Sequence, residues 1–396
     1  KMMKTYEIMN VGQGDSIVIR PPAGCRCSKE TLIVDLGPGS YDITKHIKPE
    51  DKVHIFLTHH DNDHLEGLRF FIGKMHQVRE ITVPLYQNEI TLIARAILNL
   101  KGIRDSRDCD GLVRALEEIV NNQVILKTLT EENEDTPRLS FAYDGGDSPC
   151  KHIEYMNPPM IAETYEWLDE MDRDAIQAVM KDFFTMEFAD EMAVYFQAAE
   201  EKHMPEGSRQ FYQYWLENRQ EEDGKLLHMK CNYVLNFIVE NALLFRRFNM
   251  EGSRKVLKKI YKNYVKCTHD VCLVMKMCFP GQKSMLLTGD ASKKVFKRLI
   301  RENPKSISAY YLKMPHHGSR HNMDEAILDS IKPRTAIISH NNGHFGKAKD
   351  SHPNQEVLDM LADRNIKLLI TNDVIKNGIR VMKKERHKKD DLVEIR

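Results

Sequence analysis

The sequence predicts an α/β (α+β) protein whose elements form the two halves of a layered αββα sandwich, separated by a large helical insertion. The first ninety or so residues alternate short β-branched and aromatic runs with helical segments, in the order β-β-β-α-β. The chain after Asp290 again alternates helices with short apolar runs. Between these parts, residues 160–266 consist almost entirely of helix formers. Together these observations predict two strand-rich halves and one helical insertion.

The first half, residues 1–159, opens with two strands at 5–10 and 15–20 on either side of Gly12-Gln13-Gly14. The next elements are a loop at 21–28, a strand at 31–35, a short helix at 43–47, a strand at 53–57, a helix from about Asp63, and a strand at 81–84. Residues 89–122 have a helical pattern and 123–129 an extended one, whereas the Glu-, Asp-, Gly- and Pro-rich stretch 131–150 predicts a flexible loop. A strand at 153–159 closes this half.

We expect residues 160–266 to form an inserted helical subdomain of about four helices. The second half, 267–384, then supplies strands at 271–278, 286–290, 310–314 and 335–339, with helices at 291–302, 323–330 and 354–362. A terminal hairpin at 367–371 and 378–382 follows. Residues 385–396 are predicted to be a charged, solvated tail.

The most informative stretch, residues 53–67, reads V-H-I-F-L-T-H-H-D-N-D-H-L-E-G. A buried strand ends at Thr58 and is followed by six polar residues, His59 to His64. A packed core cannot accept six such groups without six sets of hydrogen-bond partners, whereas imidazole and carboxylate groups at the end of a rigid strand can converge on a metal ion. The alternative is a solvated turn between a strand and a helix.

The pattern H-x-D-x-D-H-x-x-G resembles the metallo-β-lactamase fold hydrolases, in a variant with Asp as the second ligand that is similar to the hydrolase domain of the competence DNA-uptake (ComEC-type) proteins. Five further segments carry the resemblance, in the expected order: V-G-Q-G-D-S at 11–16, L-I-V-D-L-G at 32–37, L-L-T-G-D at 286–290, P-H-H-G-S at 315–319 and S-H-P at 351–353. The last departs from the family pattern, which has Gly where Ser351 stands. The resemblance covers the first ninety residues and roughly the last hundred and thirty.

The resemblance implies a binuclear metal site. His59 and Asp61 would hold one ion, Asp63 and His64 the other, Asp290 would bridge them, and His352 would complete the second site. The family's further His before the strand at 271 is not matched, because that position is Lys266 and only His269 lies nearby. This leaves His316 and His317 as candidates for the missing ligand or for the group that protonates the leaving oxygen.

Two divalent ions can activate a water and clamp the attacked centre, and Asp63, His316 and His317 are therefore the candidate catalytic residues. Because carboxylates are as numerous as imidazoles in the implied set, Mn2+ competes with Zn2+ as the metal. Glu66 and Asp35 are natural partners for the ligand histidines. For His316 and His317 the alternative is turn structure with Ser319 as the cap; His340 and His344 are less specific candidates.

Composition narrows the class of protein and its cellular compartment. The formal net charge is zero and charged residues make up 29% of the chain, as in ordinary globular proteins. No apolar run approaches the roughly 18 residues that span a bilayer, and no secretory leader is apparent, so no membrane is expected. The eight cysteines are scattered instead of forming a disulfide framework, which favours a cytoplasmic protein. A metal or redox site at Cys25 and Cys27 is a further possibility.

Charge is segregated within the predicted insertion. Residues 160–224 hold seventeen Asp or Glu against five Lys or Arg, whereas 225–266 hold ten Lys or Arg against two Glu. The basic final helix, with Lys255, Lys258 and Lys259, is a candidate nucleic-acid contact. The alternative is that the basic and acidic halves pair with each other.

The leading functional hypothesis is a metal-dependent phosphodiesterase, most simply a nuclease with nucleic acid as substrate. The same scaffold can also hydrolyse a small phosphoester or a lactone, and fold alone does not choose between these. A third hypothesis is a non-catalytic module that binds a protein partner through the helical insertion. All six core ligands that the resemblance implies are present, which argues against that third hypothesis.

Overall fold

The computed structural model describes residues 6–105, 109–130, 136–160, 173–201, 223–342, 351–376, 379–383 and 392–395. The chain divides into two compact units. The first, which we call the sheet unit, comprises Lys1–Leu85, Thr128–Pro159 and Thr268–Arg396. The second, the helical unit, comprises Tyr86–Lys127 and Met160–Cys267.

The first sheet of the sheet unit has seven strands, in the order β15-β1-β2-β3-β4-β5-β6. Strands β15, β1, β2 and β3 pair antiparallel, and β3 to β6 pair parallel. The strands are β1 (Tyr6–Met9), β2 (Ser16–Ile19), β3 (Glu30–Leu36), β4 (Lys52–Phe56), β5 (Val78–Pro84), β6 (Arg138–Ala142) and β15 (Leu392–Ile395).

The second sheet has six strands, in the order β12-β11-β10-β9-β8-β7. Strands β9 to β12 pair parallel, and β7, β8 and β9 pair antiparallel. The strands are β7 (Ile153–Asn157), β8 (Val274–Met277), β9 (Met285–Leu287), β10 (Tyr311–Lys313), β11 (Thr335–Ile338) and β12 (Lys367–Ile370). A separate hairpin consists of β13 (Val374–Lys376) and β14 (Ile379–Met382).

Apolar side chains from both sheets form one core, in which Ile8, Val34 and Phe56 of the first sheet join Met275 and Ile337 of the second. A second core covers the other face of the second sheet. It receives the apolar faces of three helices, α9 (Lys293–Glu302), α10 (Glu325–Ile331) and α11 (Gln355–Asp363). Helices therefore cover a sheet that packs on another sheet, as the strand order predicts.

Several short helical segments lie in the loops that join the strands. Helix α1 (Asn62–Leu65) continues into a 3-10 helix at Glu66–Phe71, and Leu65, Leu68 and Phe71 are buried. Further 3-10 turns lie at Ile43–His46, Met75–Gln77 and Pro315–Gly318. These turns begin close to strand ends and carry several of the predicted site residues.

The helical unit consists of segments from two connections of the sheet unit: one between β5 and β6, the other between β7 and β8. Its described helices are α2 (Gln87–Leu98), α3 (Asp110–Thr130), α4 (Arg173–Phe183), α5 (Met186–Glu201), α6 (Asp223–Glu240), α7 (Ala242–Glu251) and α8 (Arg254–Asp270), with a 3-10 turn at Ile103–Asp105. The last three residues of α3 and of α8 fall within the residue ranges assigned to the sheet unit. Within the helical unit the rings of Tyr86 and Tyr233 stack at 4.8 Å.

Four local predictions differ from the structure. Residues 123–129 are helical, because α3 continues without interruption from Asp110 to Thr130. The predicted loop 131–150 contains β6, which pairs with β5 at the sheet edge. Strand β12 joins the second sheet beside β11, so the terminal hairpin is β13–β14 instead. The predicted tail contains β15, which pairs antiparallel with β1.

The mixed α/β class and two sheets with parallel pairing agree with the sequence-based expectation. Residues 86–127 group with 160–267, although the sequence assigns them to the first half of the sandwich. Among the described helices, none combines the length and the apolar character that crossing a membrane requires.

Candidate metal centre

The predicted site residues lie where strands end. Residues 59–64 follow β4, and Asp35 lies near the end of the parallel neighbour β3. Asp290 follows β9, and His316 and His317 follow its parallel neighbour β10. Parallel neighbours end at the same edge of a sheet, so each sheet brings its own segments together. The segments of the two sheets meet where Asp290 approaches His59 and His64 and where His317 approaches Asp63.

A first group of candidate ligands consists of His59, Asp61 and His269, whose ligand atoms all lie within 4.8 Å of one another. The Oδ2 atom of Asp61 lies 3.5 Å from Nε2 of His59 and 3.9 Å from Nε2 of His269. His59 and His269 are buried, and Asp61 is partly exposed. His269 lies in the last turn of α8, close to the position that the resemblance leaves unmatched.

A second group consists of Asp63, His64 and His317. Nε2 of His317 lies 3.3 Å from Oδ2 of Asp63, and Nε2 of His64 lies 4.0 Å from Oδ1 of Asp63. Asp290 adjoins both groups: its Oδ1 lies 3.5 Å from Nε2 of His64, and its Oδ2 lies 3.9 Å from Nε2 of His59. Asp290 thus occupies the position of a carboxylate shared between the two groups.

The other ring nitrogen of these histidines is engaged by the protein. The proton on Nδ1 of His64 is directed at Oδ2 of Asp35, 2.7 Å away. Nδ1 of His317 lies 3.0 Å from the carbonyl oxygen of Ser339. The Thr58 hydroxyl donates to Asp35 and therefore accepts from Nδ1 of His59, at 3.0 Å. Each of these contacts favours the tautomer with the proton on Nδ1 and a lone pair on Nε2.

His316 is oriented in the same way. The side-chain amide of Asn322 donates to the carbonyl oxygens of Asp290 and Ala291, so its Oδ1 accepts from Nδ1 of His316 at 3.1 Å. Nε2 of His316 then faces Oδ2 of Asp290 at 3.6 Å. A lone pair and an ionised carboxylate repel each other unless a proton or a metal cation lies between them.

The spacing of these atoms fits a metal ion better than direct hydrogen bonds. The separations run from 3.3 to 4.0 Å and exceed the ordinary range of an N–H···O bond. Neighbouring ligand atoms of a tetrahedral zinc site lie about 3.3 Å apart when each is about 2.0 Å from the ion, so these atoms lie at or somewhat beyond that spacing. Within the two groups and Asp290, five buried ligand atoms make no hydrogen bond: Nε2 of His59, His64, His269 and His317, and Oδ1 of Asp290. The donor set therefore fits divalent cations.

Electrostatics keep the central carboxylate ionised. Burial raises the pKa of Asp290, but the surrounding histidines, His316 first among them, lower it further, so that it lies well below its usual range. Burial and His59 lower the pKa of His64, while Asp35, Asp290 and Asp63 raise it to a net value of about 10. Burial lowers the pKa of His316 to about 4. The centre thus holds ionised carboxylates among imidazoles of contrasting basicity.

Two glycines allow the close approach of segments at the centre. A Cβ on Gly14 would lie 2.1 Å from the carbonyl oxygen of Asp63, and the next amide, of Asp15, donates to that oxygen at 3.2 Å. A Cβ on Gly289 would lie 2.7 Å from the side chain of Thr58. The V-G-Q-G-D and T-G-D segments therefore need glycine because any side chain would displace a ligand-bearing loop.

The double-histidine turn carries backbone strain. His316 and His317 have φ values of 47° and 54°, in the left-handed region that non-glycine residues rarely adopt. Each such residue costs on the order of 1–3 kcal/mol and persists when its surroundings determine it. Here Asn322 and the carbonyl of Ser339 hold the two rings. The predicted turn structure is present, and it aims both imidazoles at the carboxylates.

The structure brings together His59, Asp61, Asp63, His64, Asp290, His316 and His317 among the predicted residues. The ring of His352 lies beside His316, with centroids 4.9 Å apart, and its place as a ligand stays a prediction. Glu66 instead accepts from the amide of Gly39, and His340 contacts the carbonyl of Asn372. His344 lies outside the described residues.

Sequence reasoning predicted Asp35 as a partner of the candidate ligand histidines, and it contacts His64, but it missed two other orienting residues. Thr58 and Asn322 have no motif signal beyond their place next to ligand-bearing segments. Asp15, within the quoted V-G-Q-G-D-S segment, forms a buried ion pair with Lys313 at 2.6 Å and lies 3.7 Å from Nδ1 of His317. The Lys313 contact joins segments nearly three hundred residues apart, which no local pattern could indicate.

The predicted basic face is present on α8. Lys255, Lys258 and Lys259 are exposed, whereas Val256, Leu257 and Ile260 are buried. Among the described residues, no carboxylate lies within ion-pairing distance of these three lysines. Most of the acidic stretch 160–224 lies outside the described part of the chain, so the predicted pairing of acidic and basic halves stays open.

The fold and the site define a mixed α/β protein with groups of His and Asp that could hold metal ions. No protein-family model matches the chain. It is similar to ComE operon protein 3 of Bacillus subtilis (strain 168), with 35% identity over 92 residues. That segment covers 23% of this chain and 11% of the relative.

Proposed function

We propose that this protein is a metal-dependent hydrolase of the metallo-β-lactamase fold with a binuclear centre, acting as a phosphodiesterase on nucleic acid. The observation that carries the proposal is the set of histidines whose Nε2 atoms face carboxylates while their Nδ1 atoms are engaged elsewhere. A protein core has no use for such a cluster, whereas a pair of divalent cations would be coordinated by most of its members.

The residues that would hold the first ion are His59, Asp61 and His269, and those for the second are Asp63, His64 and His317, with Asp290 shared. Zn2+ and Mn2+ both suit this mixture of imidazole and carboxylate. When bound, such ions supply Lewis acidity and lower the pKa of a bound water. His269 takes the place of the histidine that the sequence pattern leaves unmatched at Lys266.

The chain's own groups position and hold protons around the centre. Asp35 fixes His64 directly and His59 through Thr58. His316 has a partly exposed side chain. Burial of the ring lowers the pKa of His316 to about 4, so its imidazole is neutral at pH 7. A neutral imidazole is better suited to orient or bind substrate than to act as a general acid that is already protonated before substrate binds.

Two features support a phosphodiester of nucleic acid as the substrate. A binuclear centre suits a charged phosphate, because both attacking and leaving oxygens can be stabilised. The exposed lysines of α8 offer a surface that favours a polyanion. The partial similarity to ComE operon protein 3 is compatible with this proposal, but does not extend over the whole of either chain.

The first experiment tests catalysis. The full chain is supplied with Mn2+ or Zn2+ and assayed on a chromogenic phosphodiester, a lactone, and single-stranded, duplex and circular nucleic acids. Asp290→Ala is expected to abolish hydrolysis, because both groups of ligands lose their shared carboxylate. Asp329→Asn, a change of an exposed carboxylate, is the control and should retain activity.

The outcome also separates the alternatives. Hydrolysis of the lactone without the phosphodiesters would favour the small-ester hypothesis. Metal uptake with no turnover of any substrate would contradict the enzyme proposal and favour a module that recruits a protein partner.

The second experiment tests the α8 surface. Combined Lys-to-Glu changes at Lys255, Lys258 and Lys259 should weaken nucleic-acid binding and reduce the salt dependence of the affinity, by roughly one unit of log–log slope per lost phosphate contact. Equal charge reversal on the exposed residues Lys297, Arg301 and Lys305 is the control. Turnover of the chromogenic diester should survive both sets. Unchanged nucleic-acid binding would assign the lysines to packing or to another partner.

A further inference from the structure

A second cluster of possible metal ligands lies outside the centre described above. Cys25 and Cys27 lie in the loop after β2, and Cys150 precedes β7. Their sulfur atoms all lie within 4.8 Å of one another. All three thiols are buried, with 4%, 2% and 5% of the residue exposed, respectively.

The spacing of the sulfurs fits coordination. Sγ of Cys25 and Sγ of Cys150 are 3.3 Å apart. A tetrahedral ion with sulfur ligands at about 2.3 Å places neighbouring sulfurs about 3.8 Å apart. Small movements of side chains would therefore seat an ion among the three atoms.

Hydrogen-bonded turns shape the backbone of the loop that carries Cys25 and Cys27. The amides of Cys25, Ser28 and Glu30 donate to the carbonyls of Pro22, Cys25 and Cys27, at 3.2, 3.0 and 3.0 Å. These turns fix both sulfurs on one side of a short segment. Burial raises the pKa of the Cys25 thiol, while the backbone N–H of Cys27 acts in the opposite direction because it points at that sulfur.

An ion bound at this position would crosslink two distant segments of the chain and so stabilise the fold. The three cysteines belong to the core between the sheets, which also contains the apolar side chains of Met277 and Phe279. The cluster joins the loop after β2 to a segment more than a hundred residues later, and a crosslink that closes so long a loop restricts the unfolded chain strongly.

We propose that Cys25, Cys27 and Cys150 form a structural site for one thiophilic metal ion, such as Zn2+, separate from the His/Asp centre. On binding, the three thiols lose their protons to solvent and coordinate as thiolates, without any oxidation. The fourth ligand of a tetrahedral ion would be a water or an exogenous group. The site holds the loop at 21–29 against the start of β7.

Cobalt(II) titration of the full-length reduced protein tests the proposal. Sulfur coordination gives an intense ligand-to-metal charge-transfer band in the near ultraviolet, whereas imidazole and carboxylate ligands do not. We expect such a band at one equivalent per chain. It should be lost in Cys27→Ser and Cys150→Ser, and retained in Cys278→Ser, which changes an exposed cysteine.

A further variant identifies the source of the band. Sγ of Cys272 lies 3.8 Å from Nδ1 of His59, so Cys272→Ser tests whether sulfur contact arises at the His/Asp centre instead. The proposal requires the band to persist in Cys272→Ser. The Asp290→Ala variant should also retain it, so loss of the hydrolase proposal and loss of this one are distinguishable.

X-ray absorption spectroscopy of the zinc-loaded parent protein tests the site without any substitution, so its result does not depend on whether the variants fold. A sulfur shell at about 2.3 Å is expected. Zinc surrounded only by nitrogen and oxygen, a band that survives Cys150→Ser, or a Cys25–Cys150 disulfide with no metal uptake after reduction would overturn the proposal.

Discussion

Replacing Asp35 with Asn changes one atom of the residue that orients the ligand histidines. Oδ1 of Asp35 accepts from the amide of Thr58 at 2.7 Å, and Oδ2 accepts from the Thr58 hydroxyl and from Nδ1 of His64, each at 2.7 Å. An amide side chain presents one acceptor and one donor group. In either orientation of the substituted amide, its NH2 group would therefore meet an N–H that now donates to a carboxylate oxygen.

The expected result is weaker metal binding with an intact fold. Asp35 has a φ of 57°, and Asn tolerates this left-handed conformation, so the backbone should not change. If His64 responds by moving its proton to Nε2, the lone pair needed by the ion is lost. Losing a partner of a ligand histidine typically lowers metal affinity about 10- to 100-fold, which corresponds to about 1.4–2.7 kcal/mol.

Calorimetric titration with Zn2+ and Mn2+, beside chemical unfolding of the metal-free protein, measures both quantities. Asp42→Asn is the matched control: Asp42 accepts from the amide and hydroxyl of Thr44 as a helix cap, which Asn also provides. Its affinity and stability should equal those of the parent. If Asp35→Asn bound metal as tightly as the parent, the orienting role of Asp35 would be refuted. Selective loss of stability would make Asp35 a folding residue instead.

Two further predictions concern the rest of the chain. Burial lowers the pKa of His54 from 6.5 to about 4. Below pH 6.5 the native state therefore binds fewer protons than the unfolded state, and the free energy of unfolding decreases as the pH falls towards 4. At pH 5 this decrease is about 2 kcal/mol. Urea unfolding at pH 7.5 and pH 5 should therefore show a smaller acid loss in His54→Gln, and an equal loss would contradict the assignment. Removing 160–267 alone should give insoluble protein, because Lys230 lies 3.5 Å from buried Glu89 and Tyr233 stacks on Tyr86. Replacing both 86–127 and 160–267 with Gly-Ser linkers should leave a folded sheet unit that binds metal, and failure of that variant would show that the units depend on each other.

The parts of the fold that local chemistry determines were predictable. The candidate ligands at 59–64 could be recognised from the sequence because they are consecutive residues directly after an apolar strand. Strand β6 was hidden in a stretch rich in turn residues, and β15 in a charged tail, because each is short and forms through non-local pairing. In 123–129 a β-branched pattern suggested a strand, but continuation of an existing helix costs less than starting a new element.

Most of the candidate ligands and one orienting group, Asp35, were predictable from the sequence, whereas Thr58, Asn322 and the contribution of His269 were not. The family pattern places a histidine at the position of Lys266, and the structure brings His269 to the first group because α8 continues to Asp270 and carries it there. Helix termini are among the least predictable features of a sequence. Contacts such as Lys313 with Asp15 depend on which strand ends are neighbours, and the order of strands in a sheet is not encoded in any one segment.

The two groups of ligands are best understood as one centre. Asp35 orients His64 of the second group directly, and through the Thr58 hydroxyl it orients His59 of the first. Asp290 faces the same two histidines from the opposite side, with one carboxylate oxygen near each. A change at either carboxylate therefore acts on both groups at once, whereas a change at His269 or His317 acts on one. We therefore expect titrations in which both metal-binding steps weaken together in Asp35→Asn, and only one step weakens in His269→Ala.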